Sequence, residues 1–352
     1  MQTSQLFLNA AISLKSCKLV RACVVTALLL GSWSNIFAAP PFSGTIFLDP
    51  DILTASDPTA FKDIVSTGRG VRSMFDRRVN NFVTVNAYLF NASFDDGLQS
   101  EVQVNPEFGS TEAALVEARK YAIVIGRLPY ALRKDVQTVW IHQGVQPFGG
   151  GNNNLLIHTG QADQYSQSGI LEETLIHEAS HTSLDAQHAS SSGWLAAQKA
   201  DPEFISTYAR DNPAREDIAE SFLTWLAVRY RSERISQSLS NAIVSTIPRR
   251  LEYFSQQALR MDPWVMPKPL GFKTLTVNAP SQTLQLTWYS LPGKVYSLGE
   301  SADLVHWTSA VTAIPSQGYE TTYPQSLTNS ATKTKFFRVQ EVPASGSSRA
   351  GS

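Results

Sequence analysis

The sequence predicts an α+β chain: a mixed domain over residues 40–263, then a small all-β sandwich over 272–342. Two observations carry this. Before Pro263, runs rich in β-branched and aromatic residues alternate with stretches of helical period, and after Gly169 the pattern is almost entirely helical. After the Pro-rich stretch Pro263–Pro269, only short strand-like pieces remain, separated by turn signals.

The elements follow in order. Residues 1–38 read as a secretory signal peptide: Lys15, Lys18 and Arg21 precede the uncharged, mostly apolar run Ala22–Phe37. Small residues Ala38 and Ala39 mark the cut, with Ile36 at the less usual −3 position, and Pro40-Pro41 ends any helix. The alternative is an uncleaved anchor, since the run is close to the minimum that spans a bilayer. The segment Phe82–Phe90 reads as a strand, and Thr111–Gly126 as a helix carrying Ala114, Leu115, Ala118, Ala122 and Ile125 at helical spacing. Val136–His142 is a second strand, and Gly149-Gly150-Gly151 leads into a third, Asn154–His158. Residues 264–271 form a linker. The sandwich is expected from Leu275–Val277, Leu284–Trp288, Val295–Leu298, Trp307-Thr308 and Phe336–Val339, and residues 343–352 form a Ser/Gly-rich tail.

Composition narrows the chemistry. With 43% hydrophobic and 17% charged residues, a sizeable core is expected. Lys plus Arg number 29 and Asp plus Glu 30, which excludes the basic footprint of a nucleic-acid or anionic-membrane binder. Both cysteines, Cys17 and Cys23, lie in the leader, so the exported chain has neither a Cys-based zinc ribbon nor a disulfide framework. Chemistry must come from His, carboxylates, Ser or Tyr.

Three of the six histidines fall within His177–His188, in the run Leu-Ile-His177-Glu178-Ala-Ser-His181. On a helix, residues i and i+4 share one face, so His177 and His181 can present imidazole nitrogens to one Zn²⁺. Glu178 is rotated by about 100° from His177, beside the metal, where it can take a proton from an activated water. A bare His-Glu-x-x-His also arises by chance. Here Leu171, Leu175 and Ala179 make an apolar stripe, Ser168 is placed to cap, Glu172 and Glu173 suit the first turn, and nothing breaks 170–184.

A third ligand has three candidates. His188 lies one residue later than the extended His-Glu-x-x-His-x-x-Gly-x-x-His pattern requires, and Leu184 stands where that pattern has Gly. Asp185 is four residues past His181. Glu216 lies on a second predicted helix, with Asn212 as cap, Pro213 at its first position and Ile218, Phe222 and Leu226 facing the core. Glu216 and Glu220, at i and i+4, repel unless a cation or proton relieves them; one on the metal and one behind a ligand His satisfies both. The alternative is a solvated acidic face. The reading favours Glu216 as ligand with Glu220 behind it.

His-Glu-x-x-His followed by this acidic helix resembles the gluzincin metallopeptidases. Glu216-Asp-Ile-Ala-Glu220-Ser-Phe222 is most similar to the corresponding helix of anthrax lethal factor-type peptidases, and the Asn-Pro-Ala before it to Mlc titration factor A. The resemblance spans Thr174–Arg229. It implies a zincin-like catalytic domain, Zn²⁺ on His177, His181 and Glu216, and a Tyr stabilising the transition state; Tyr208 stands eight residues before Glu216 where the group has about seven. It also implies that an edge strand before the active helix pairs with extended substrate, for which Asn152–His158, with Asn154 and Leu156, is the candidate; a polar turn is the alternative for Asn152–Asn154. Trp288, Tyr296, Trp307 and Phe337-Arg338 loosely resemble fibronectin-type-III-like modules. The expected protein is a secreted, periplasmic or cell-surface zinc peptidase acting on a peptide or protein substrate. Its rivals are a surface binding or adhesion protein with a structural or vestigial zinc site and a zinc amidohydrolase acting on a non-peptide amide such as a cell-wall component. Elsewhere, His142 and His158 are expected to be packed, and Arg69, Arg72, Arg77 and Arg78 to form a solvated or ion-paired cluster.

Overall fold

The computed structural model describes residues 39–45, 48–327 and 334–343. The expected leader and all but the first residue of the expected tail lie outside the described residues. Within them the chain is α+β, with a mixed sheet, a helical half and a separate pair of small antiparallel sheets.

The main sheet has strand order β1-β2-β3-β4-β6-β5, formed by β1 (Phe61–Asp76), β2 (Asn81–Phe94), β3 (Gln99–Val104), β4 (Thr138–His142), β5 (Gly149–Gly151) and β6 (Asn154–His158). β3, β4 and β6 are parallel and the rest antiparallel. Val102, Val104, Val139, Ile141, Leu155 and Ile157 point to the same core as the helices. The helices are α1 (Thr111–Arg127), α2 (Tyr130–Arg133), α3 (Thr159–Gln167), α4 (Leu171–Ser183), α5 (Asp185–His188), α6 (Ser192–Ala200), α7 (Thr207–Asp211), α8 (Asp217–Tyr230), α9 (Gln237–Thr246) and α10 (Pro248–Ser255).

Local chemistry explains most boundaries. Ser110 caps α1, accepting from Ala113 N at 3.1 Å. Ser168 closes α3 instead of capping α4, whose first turn is fixed from outside: Glu173 accepts from Leu53 N at 2.8 Å and Glu172 pairs with Arg127 at 2.9 Å. Likewise α8 starts at Asp217 and not at Pro213. Asn212 terminates α7, and the Pro213–Glu216 turn delivers Glu216 to the helix cap, with Glu220 N already bonded to Glu216 O at 3.0 Å. The i and i+4 relation of the two acids therefore survives the later start.

The small sandwich comprises β7 (Gly271–Asn278), β8 (Thr283–Tyr289), β9 (Val295–Ser301), β10 (Thr308–Pro315), β11 (Glu320–Ser326) and β12 (Phe336–Glu341), in sheets β11-β8-β7 and β10-β9-β12. Leu284, Leu286, Trp288, Tyr296, Leu298 and Ile314 fill it. The Pro-rich stretch before it is partly anchored, since the Trp264 indole donates to Arg127 O at 2.6 Å.

Candidate metal centre and its cleft

Helix α4 lies against the outer strand of the sheet. Gly150 permits this: a Cβ there would fall 1.8 Å from Glu178 O, so only glycine lets β5 touch the helix backbone. The Thr182 hydroxyl stitches the contact, accepting from Gly151 N at 2.8 Å and donating to Asn154 O at 2.9 Å. Asn152 and Asn153, both at positive φ, make the tight turn between β5 and β6. The expectation that Asn152–His158 is the open edge is corrected here. β6 is paired on both sides, by β4 and β5, and its Asn154 and Leu156 are buried; the free edge is β5. Three glycines carry no strand signal, which hid that edge in the sequence.

His177 Nε2, His181 Nε2 and Glu216 Oε2 converge at separations of 3.2 Å between the imidazoles and 3.4 and 3.2 Å to the carboxylate. Donors about 2.0–2.1 Å from a tetrahedral zinc lie about 3.3 Å from one another, so this triangle fits such an ion. Burial makes the same point. His177, Glu216 and Glu220 are 4%, 5% and 1% exposed, and His177 Nδ1, Glu216 Oε2 and Glu220 Oε1 have no hydrogen-bond partner among the described residues. An orphaned buried atom costs about 1–3 kcal/mol, and a cation at the centre would offset that for Glu216 Oε2, whereas His177 Nδ1 and Glu220 Oε1 face each other behind it. Among the described residues this trio is the group able to hold a metal ion.

The imidazoles are oriented from behind. His181 Nδ1 lies 2.8 Å from Asp185 Oδ2, which fixes the tautomer that leaves Nε2 facing the centre. Glu220 Oε1 faces His177 Nδ1 across 3.7 Å, and its Oε2 accepts from the Ser206 hydroxyl at 2.8 Å. Burial works against a charged His181, yet Asp185 and Glu216 override it and raise its pKa to about 10. Burial likewise pulls the Glu216 carboxyl up, and the imidazoles of His177 and His181 pull it further down, well below the usual carboxylate range. The centre therefore carries a proton that a metal would displace.

The other candidates resolve clearly. Asp185 meets His181 on its Nδ1 side, past the helix turn at Leu184, and does not join the converging donors. His188 is elsewhere, its Nδ1 2.7 Å from the Tyr253 hydroxyl. His142 and His158 are buried neighbours at one register of β4 and β6. Arg210 pairs with Asp211 away from the centre, while Arg215 lines the cleft.

The centre opens into a cleft of about 580 Å³ between β5 and the start of α8, where Glu178, Tyr208 and Arg215 face the trio. Burial and a hydrogen bond to Glu216 push the Tyr208 phenol up to about 12, so it stays protonated. Arg77, expected in a solvated or ion-paired cluster, lines the cleft, as does Tyr165, for which the sequence raised no expectation. Neither has a local motif; Arg77 comes from the distant β1–β2 turn and Tyr165 from α3, just before α4.

No family model matches the sequence, and no curated protein does. Among solved structures the chain is similar to Legionella pneumophila aminopeptidase A in complex with aspartic acid, at 9% identity and a TM-score of 0.24. The match covers 79% of this chain and 42% of that one, so the chain spans less than half of that protein's length. A likeness this slight supports no transfer of function.

Proposed function

We propose that the chain is an exported zinc metallopeptidase of the gluzincin type, cutting peptide bonds in the cleft between β5 and α8. The observation that carries the reading is the triangle of His177, His181 and Glu216 donor atoms, with Glu178 beside it on the same cleft. Those three residues would hold the ion, which when bound supplies a Lewis acid that polarises a carbonyl and lowers the pKa of water.

The chain's own groups do the rest. Glu178 takes the proton from the attacking water and returns it to the leaving amine nitrogen, so the proton released in forming one bond completes the breaking of the other. Tyr208, still protonated at neutral pH, donates a hydrogen bond to the carbonyl oxygen as it gains negative charge. Asp185 holds the His181 ring in place, and Glu220 stands ready to do so for His177. The exposed edge of β5 offers main-chain groups to an extended peptide, which would lie across the cleft as an added strand.

Glu178→Gln separates binding from chemistry. The variant should keep its metal and lose peptide hydrolysis by a factor of about 100 or more. Hydrolysis at the wild-type rate would sink this assignment.

A further inference from the structure

The long β1–β2 hairpin reaches the cleft. β2 pairs with β3 only from Tyr88 to Ser93, while its pairing with β1 continues to Asp76 opposite Asn81. The free half forms an arm over the outer face of the sheet. Met74, Ala87 and Leu89 bury beneath it with Trp140 of β4, Phe82 packs edge-on to Trp140 at 5.9 Å, and Arg72 pairs with Glu101 of β3 at 2.8 Å.

At the tip of this arm, two adjacent arginines have different tasks. Arg78 is consumed by structure, paired with Asp76 and Glu107, each at 2.7 Å. Arg77 has no carboxylate partner among the described residues. It donates one hydrogen bond, from Nη2 to Phe148 O at 2.8 Å, and lines the cleft just before β5 begins. Its charge is felt at the Tyr165 phenol, where it opposes the effects of burial and of Glu178. The guanidinium is thus held at Phe148 O beside an ion-paired neighbour, with most of its five N–H donors left over.

We propose that Arg77 is a specificity residue that recognises a carboxylate on the peptide substrate, on the C-terminal side of the cut bond and within about two residues of it. The position follows from the strand. Gly150 lies over the backbone of Glu178, and Phe148, which Arg77 holds, is two residues away along β5, about 6–7 Å. A peptide paired antiparallel to β5, the more stable pairing, runs from Gly151 toward Phe148, so its later residues meet Arg77. The guanidinium fork matches a carboxylate in two parallel hydrogen bonds. The inference rests on the peptide-binding part of the reading above. The carboxylate has two possible sources, an Asp or Glu side chain or the end of the peptide chain.

The test uses the zinc-loaded full chain and matched peptides carrying Glu or Gln at the second position after the cut bond, each with a free or amidated C-terminus. Cleavage is followed by mass spectrometry, and binding to the Glu178→Gln protein by fluorescence anisotropy. The expected result is a preference for the carboxylate of about tenfold, seen in KM and in binding. It should collapse to about unity in Arg77→Gln, recover in part in Arg77→Lys, and turn toward Lys peptides in Arg77→Glu. Preference for Glu peptides whatever their terminus identifies a side chain; preference for the free acid alone identifies the chain end. A wild type without preference, or a preference that survives Arg77→Gln, overturns the inference. Carboxylate-dependent binding lost in Arg77→Gln, with no peptide cut by the wild type, would uphold Arg77 and overturn the peptidase reading.

Discussion

Gly150→Ala probes the contact on which the metal centre depends. The new Cβ would lie 1.8 Å from Glu178 O and 2.5 Å from Glu178 C. A comfortable carbon–oxygen contact is about 3.3 Å, so β5 and α4 would have to part by about 1.5 Å. Both sides of the clash are backbone, so no rotamer change relieves it. Overpacking of this kind costs about 3 kcal/mol, a fall in Tm of about 6–12 °C. The retreat of α4 also carries His177 and His181 away from Glu216, which rides on α8, and spoils separations now at 3.2–3.4 Å. A misplacement near 1 Å costs about 100-fold in rate. Urea denaturation of the metal-free protein gives the stability loss, and peptide hydrolysis below the melting range gives the activity loss. Gly149→Ala is the control for the stability loss alone, because its Cβ meets no backbone, only the Arg77 side-chain end at 3.1 Å and Leu156 at 3.5 Å. A Gly150→Ala protein within about 0.5 kcal/mol of wild type and equally active would refute the packing argument.

Other outcomes follow from buried charge. Burial pushes the Glu173 carboxyl up to about 7 from 4.5, so the folded state binds its proton more tightly than the unfolded one. Its contribution to stability is full below pH 4.5 and is lost as pH rises through about 7. Glu173→Gln, which still accepts from Leu53 N, should gain on wild type across that window by on the order of 3 kcal/mol. Urea melts from pH 4 to 8 measure it, and a difference that stays flat with pH would contradict it. Arg250, fully buried, joins Asp201 and Asp217 at 2.9 Å each and so ties α10 to the residue after Glu216. Arg250→Met leaves two buried carboxylates unpaired and should cost about 3–5 kcal/mol, read by chemical denaturation; a loss below about 1 kcal/mol would mean that the carboxylates find other partners.

What the sequence made legible was local. His177, Glu178 and His181 are defined by helical spacing alone, and α4 carries them as that spacing requires. Glu216 and Glu220 survived a misplaced helix start because Pro213–Glu216 turns without losing helical phase. Short strands marked by an apolar run, such as β4 and β6, or by apolar alternation, such as β8, were readable for the same reason. Long-range pairing was not. β1 runs for 16 residues, yet much of it is exposed on both faces, so it shows no clean alternation. β11, with Pro324 in its midst, lacks an apolar stripe and went unseen. β5 has no side chains to pattern. Asp185 was weighed as a ligand from its spacing, but only the geometry past Leu184 shows which imidazole nitrogen it meets. Arg77 was read with three other arginines as a surface cluster, and Arg72 and Arg78 are indeed ion-paired; its turn toward the cleft depends on how the hairpin folds back.

The central claim is that His177, His181 and Glu216 form one metal site. Its most direct test is the zinc content of residues 39–352 after exhaustive dialysis, with Glu216→Ala measured beside it. About one zinc per wild-type chain and little in the variant is the result this account predicts. No zinc in the wild type, and none taken up on titration, would contradict it.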